Sequence, residues 1–261
     1  MSLSIDVEKI VSVIDPISLA EMDHVKLMRR QDAKFVIPAT FVPGLLRDIA
    51  PLYRVLEIGG KRIHPYHTIY YDTDGLAMYH EHHNGRLNRY KVRTRTYLTS
   101  DIAFIEVKFK NNKKETIKRR IGTVTPEEIT GERTGKFLAA NSPYTVGEIH
   151  PVLENHFKRI TLVHKKIPER VTIDVELGYN RPGMNGEVSL PGLSVVEIKY
   201  ERDSMHSDMI SYLRRKSFQS MGFSKYCIGT ILNNPHIKSN LFKQRMRRID
   251  KIERTFESIN N

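Results

Sequence analysis

The chain has 261 residues, 39% hydrophobic and 28% charged, enough apolar content to bury one large core or two small ones. Its 42 Lys and Arg exceed its 30 Asp and Glu by 12, which favours anionic partners (nucleic acid, acidic lipid, nucleotides or polyphosphate) without choosing among them. The single cysteine, Cys227, excludes an internal disulfide, zinc-type Cys/His spacing is absent, and no run looks like a membrane span or secretory signal, so a cytoplasmic protein is expected.

In chain order, residues 1–28 read as an N-terminal helical arm, because Val7, Ile10, Val11 and Ile14 recur at helical spacing before Pro16. A second helix opens near Pro43, where Leu45, Leu46, Ile49, Leu52 and Tyr53 share one stripe. Segments 29–37, 66–72, 87–98, 102–110, 115–121, 157–164, 170–177 and 194–201 alternate with period two, the mark of strands whose faces meet different environments. Asn111 and Asn112 suit a hairpin turn, and Asn84 with Gly85 a helix end. Helices are predicted within 126–140, 148–156 and 206–222, followed by a basic C-terminal helical segment over 236–261. The fold class expected is α+β, with many antiparallel strands and flanking helices.

The alternation also sorts charge. Arg89, Lys91, Arg93 and Arg95 share one strand face at a spacing of roughly 7 Å, a cationic ladder. Glu106, Lys108 and Lys110 follow on the next strand, then Lys118 and Arg120. Arg170, Thr172, Asp174 and Glu176 oppose Val171, Ile173, Val175 and Leu177, and Glu197 with Lys199 oppose Val196 and Ile198. One such face is ordinarily the solvated side of a sheet. Five, with like charges stacked in register, call for a polyanion to relieve their repulsion. The acids among them, Glu106, Asp174, Glu176 and Glu197, are then candidate metal ligands. His80, His82 and His83 read as scaffold rather than a metal site, and Tyr70 and Tyr71 as packing residues. The aromatics fall mostly opposite the cations, which favours bare phosphate over stacked bases. The basic tail, with Lys243, Arg245, Arg247 and Arg248, reads as a helix docked on the domain, with an amphipathic helix on acidic lipid as the alternative.

The stretch "YYDTDGLAMYHEHHNGRLNRYKVRTRTY" followed by "FIEVKFK", with "RVTIDVEL", "LSVVEIKY" and "GFSKYCIGT" in that order, resembles the VTC domain, the polyphosphate polymerase branch of the triphosphate tunnel metalloenzymes, in its bacterial form. The resemblance implies an antiparallel β-barrel tunnel of about eight strands over residues 29–235. It implies transfer of the terminal phosphate of ATP onto a growing polyphosphate chain with Mn2+ or Mg2+. Carried over by position, it assigns catalysis to Lys34, Arg93, Arg95, Lys108 and Lys199. Phosphate binding falls to Arg89, Lys91, Lys118, Arg120, Arg159, Arg170 and Lys225, and the metal to Glu197 and Glu106.

Hydrolytic members of the superfamily begin with alternating glutamates, whereas Arg30, Asp32 and Lys34 stand here, which favours the polymerase over the triphosphatase. A metal-dependent triphosphatase and a non-catalytic polyphosphate-binding module remain the alternatives, with an RNA-binding open sheet more distant. The expected partners are ATP and polyphosphate and no specific nucleic acid, with room for a membrane-associated protein that would bring the chain to a membrane.

Overall fold

The period-two segments form strands, and the helical stripes cover their outer faces. The structure, a computed structural model, describes residues 3–24, 30–123, 131–184, 186–201 and 206–260. Its strands are β1 (Pro16–Ile17), β2 (Arg30–Pro38), β3 (Tyr53–Leu56), β4 (Ile63–Asp72), β5 (Arg89–Tyr97), β6 (Ile102–Lys110), β7 (Thr116–Thr123), β8 (His150–His164), β9 (Glu169–Asn180), β10 (Glu187–Leu190) and β11 (Leu193–Glu201). Its helices are α1 (Leu3–Ser12), α2 (Leu19–His24), α3 (Val42–Ile49), α4 (Ala77–His83), α5 (Glu132–Asn141), α6 (Asp208–Arg215), α7 (Lys225–Asn233) and α8 (Lys243–Asn260).

Eight strands follow one antiparallel path, β2-β11-β9-β8-β4-β5-β6-β7, and β1, β3 and β10 add to its margins. Among the described residues no ladder joins β2 to β7, so the path is open there. The β2 edge is nevertheless occupied: Phe35 bridges Ser220, and the Met221 N–H donates to the Lys34 carbonyl at 2.8 Å.

Among the described residues four apolar clusters pack on the sheet, the smallest joining Ile17, Met22 and Leu56 to Val163 of β8. Outside β2, β11, β9 and β8, residues Phe35, Ile173, Val196 and Ile198 meet Val7, Val11 and Ile14 of the N-terminal segment, Leu45 and Leu46 of α3, and Leu213 of α6. Outside β5 and β6, Val92 and Val107 meet Leu138 of α5. Each fully buried aliphatic side chain contributes about 1.5–3 kcal/mol. On the inner face, Leu153, Phe157 and Tyr179 pack against Tyr226 and Ile228 of α7 and Ile249 of α8. Gly229 permits this approach, since a Cβ there would stand 2.3 Å from the Tyr179 ring and 2.7 Å from Leu153.

Of three helical expectations one is overturned, and two are met by shorter helices. Residues 148–156, expected as a helix, lie largely in the fifteen-residue β8. There Leu153, Asn155 and Phe157 are buried in alternation, and the polar Asn155, whose Nδ2 donates to the Gly178 carbonyl at 2.9 Å, hides that period from an apolar count. Over 206–222 the helix stops at Arg215, and Ser217 takes a left-handed turn (φ 63°) that sends the chain along β2. The 126–140 helix begins at Glu132; residues 124–130 lie outside the described residues, as do residues 25–29 of the arm and first strand.

Candidate functional site

Residues directly opposite one another in a ladder share a sheet face. From β2 inward, Lys34 stands opposite Glu197, Glu197 opposite Thr172, and Asp174 opposite Arg159. Tyr66 pairs with Phe157, Thr68 with Arg95, and Tyr70 with Arg93. Arg93 faces Glu106, Lys91 faces Lys108, Glu106 faces Arg120, and Lys108 faces Lys118. One continuous inner face therefore carries the charges from β2 to β7.

Two consecutive residues show that this face curves round on itself. Ser224 and Lys225 open α7, and the Lys91 Nζ on β5 donates to the Ser224 Oγ at 2.9 Å while Lys225 pairs with Asp174 on β9. Walls from opposite parts of the strand path thus meet over one helix start. The charges feel one another across the space: Lys108 on β6 senses Glu197 on β11, and Lys91 senses Lys34.

The wall of β2, β11, β9 and β8 is paired. Lys34 Nζ lies 2.7 Å from Glu197 Oε1 and Lys199 Nζ 4.0 Å from Oε2. Arg159 grips Asp174 with two donors, at 2.6 and 2.8 Å, and Lys225 shares the same carboxylate. Burial pushes the Glu197 carboxyl up, but Lys199 and Lys34 outweigh it and hold its pKa well below the usual range. Asp174 is likewise held at about 2 against its burial, by Arg159 and then Lys225.

The wall of β5, β6 and β7 has a cation excess. Glu106 is fully buried, with Arg93 Nη2 at 2.6 Å on one oxygen and Lys118 on the other. Arg95 has no carboxylate partner among the described residues; its guanidinium lies over the Tyr66 and Phe157 rings at 5.7 and 5.9 Å and its Nε donates weakly to Thr68. The Lys108 ammonium makes neither hydrogen bond nor ion pair among the described residues. Arg93 first, then burial, depress its pKa well below the usual lysine value.

Of the remaining sequence-predicted residues, Lys118 joins through Glu106, whereas Arg120 is exposed and stacks on Phe104 at 4.4 Å. Arg89 lies beyond Lys91 and donates to the Arg86 carbonyl. Arg170, opposite Lys199, donates to the Met22 carbonyl at 3.0 Å, at the α2 end of the face. Glu176 is excluded: a bulge in β9 places it at φ 53°, and it turns outward to pair with Lys158. The aromatic expectation is also corrected. Tyr66, Tyr70, Phe104 and Phe157 share the face of the cations, and the Tyr66 and Phe157 rings pack beneath Arg159 at 5.1 and 5.2 Å. Lys225 lies 4.3 Å from the Phe157 ring. The signal for these ring floors lies within the expected strands, since Phe157 stands two residues before Arg159 and period two alone puts both on one face.

Among the described residues no group of three or more His, Cys, Asp or Glu forms a metal cage. Mg2+ and Mn2+ at phosphate-transfer sites need only one or two carboxylates, the rest coming from phosphates and water. Glu197, partly accessible on the inner face, fits that role. Glu106 does not fit it as well, since it is fully buried between Arg93 and Lys118, whereas Glu197 keeps an accessible edge and a looser contact to Lys199.

The VTC-domain family model matches residues 29–233. No curated protein matches the sequence. Among solved structures, an adenylyl cyclase candidate from Hippeastrum, described as having a dominant triphosphatase activity, is 12% identical over 81% of this chain and 98% of its own, with a TM-score of 0.49. Adenylate cyclase candidates from Bacillus halodurans (11% identity, TM-score 0.46) and Vibrio parahaemolyticus (10%, 0.44) each cover 76% of this chain and 96% of their own. No helix among the described residues is long and apolar enough to cross a membrane.

Proposed function

The chain belongs to the VTC-domain family, and from that premise we propose that it is a polyphosphate polymerase moving the terminal phosphate of ATP onto a phosphate chain held along its inner face. The observation that carries this reading is the cation excess of β5, β6 and β7, where Arg93, Arg95, Lys91, Lys108 and Lys118 share one inward acid, Glu106. Such a wall is incomplete until a polyanion lies on it.

In this reaction a terminal oxygen of the chain attacks the γ-phosphorus of ATP in line; the new P–O bond forms as the bond to the ADP oxygen breaks, and ADP leaves. No protein nucleophile is required. Arg93, Arg95 and Lys108 position and neutralise the phosphates, and Lys34, Lys199, Arg159 and Lys225 face them from the opposite wall. Glu106 holds Arg93 and Lys118 in place. Glu197 would hold a divalent ion, Mn2+ or Mg2+, which supplies charge neutralisation at the phosphate oxygens. The Lys34 contact to Glu197 holds that carboxylate ionised and placed.

The test is incubation of purified protein with ATP and Mn2+ or Mg2+, with long polymer separated from released phosphate. Polymer is expected. Glu197→Gln should abolish its synthesis while leaving metal-free polyphosphate affinity equal or higher, and Arg93→Ala should weaken that affinity about tenfold or more. Phosphate without polymer would make the protein a triphosphatase; tight polyphosphate binding with no turnover would make it a binding module.

A further inference from the structure

The inner face continues past Lys91. Arg89 on β5 and Lys110 on β6 stand opposite each other on it, and Arg89 lies about 20 Å along the strand from Arg95. Neither is ion-paired among the described residues; Glu81 of α4 is the acid whose charge reaches Arg89.

The helix α4 packs against β5 beside this pair, and the start of α8 meets α4 at Phe242. The His82 ring of α4 lies 6.0 Å from the Phe242 ring, and the Arg245 guanidinium of α8 sits over the same ring at 5.0 Å. Arg245 also closes on the loop that holds Lys91, its Nη2 standing 3.7 Å from where a Gly222 Cβ would be, two residues before Ser224. Burial first, then the charges of Lys91, Arg89, Arg245 and Lys110, lower the His82 pKa to about 2. Its Nδ1 is buried with no hydrogen-bond partner. A neutral histidine packed among four cations leaves their charge uncompensated, and a phosphate lying against them would offset it.

We propose that Arg89, Lys110, His82 and Arg245 form a phosphate subsite for the far end of a polyphosphate chain that runs past Lys91 from the Arg93, Arg95 and Lys108 stretch. The subsite rests on the phosphate-chain reading of the inner face. A triphosphate seated at Arg93 and Arg95 is too short to reach it, whereas a long chain spans both.

Calorimetry with metal-free protein, titrating tripolyphosphate and a long linear polyphosphate separately, tests it. Arg245→Ala should weaken the long chain roughly tenfold and leave tripolyphosphate unchanged, and Arg245→Lys should restore part of the loss. His82→Gln, which keeps a donor, should cost the long chain only a fewfold loss. Arg247→Ala, an exposed cation two residues on, should change neither and so controls for net charge. Equal losses for both ligands, or no loss for the long chain, would overturn the subsite while leaving the tunnel reading intact. A parent that binds neither ligand would overturn both.

Discussion

The two walls of the inner face carry the same residue types in different balance. On β2, β11, β9 and β8, Lys34 and Lys199 meet Glu197, and Arg159 meets Asp174. On β5, β6 and β7, Lys91, Lys108 and Lys118 stand opposite one another across three strands, with Glu106 taken by Arg93 and Lys118. Like charges directly opposite destabilise a ladder. The first wall is settled by the fold, and the second retains repulsion that a bound polyanion would remove. Stability is given up where binding is built.

Removing an acid from the paired wall should have the largest effect. Asp174→Asn leaves Arg159 and Lys225 buried without their carboxylate and should cost about 3–5 kcal/mol in urea unfolding. Lys108→Met on the other wall uncovers no acid partner and should leave stability unchanged or higher, while polyphosphate affinity drops about tenfold. Comparable losses of stability in both variants would erase the contrast between the walls.

Ligand should close the gap. Tripolyphosphate at a hundred times its Kd is expected to stabilise the protein by about 2.7 kcal/mol, read as a rise in thermal midpoint. A flat midpoint at saturating ligand would show that the excess charge is not a binding site.

The lysines set a pH dependence. Burial holds Lys91 and Lys225 at about 8; Arg89, Arg93 and Lys34 add to this at Lys91, and Arg159 and Arg95 at Lys225, against the pull of Cys227 and Asp174 respectively. Both groups are charged below pH 8 whether or not phosphate is bound, so this contribution is flat there. Above pH 8 the free protein loses these protons, and bound phosphate, favouring the charged form, takes them back. Affinity should therefore fall as pH rises through 8 and beyond, with proton uptake measurable by titration in buffers of different ionisation enthalpy. Proton release on binding in that range would contradict the assignment.

The smallest effect belongs outside both walls. Glu176→Gln breaks only the exposed pair with Lys158 and should change stability by about 0–1 kcal/mol and leave phosphate binding unaltered. A large loss of binding would return Glu176 to the inner face.

Period-two alternation determined most of this protein by itself. Eight segments announced eight strands, and their charged sides announced the inner face, because a strand must send successive side chains to opposite sides. The alternation could not carry through a bulge. Glu176 left the face at one left-handed residue that no residue type there announces, and Asn155 concealed β8 because a buried amide reads as polar until Gly178 is seen to accept from it. Nor could alternation say which wall faces which. Pairing of Lys91 and Asp174 with consecutive residues of α7 depends on contacts more than a hundred and on the order of fifty residues apart in the chain, respectively, and on Gly229 letting that helix settle against Tyr179. Local periodicity is written into neighbouring residues, whereas the balance of charge across the inner face exists only once distant strands and a helix start share one low-dielectric space.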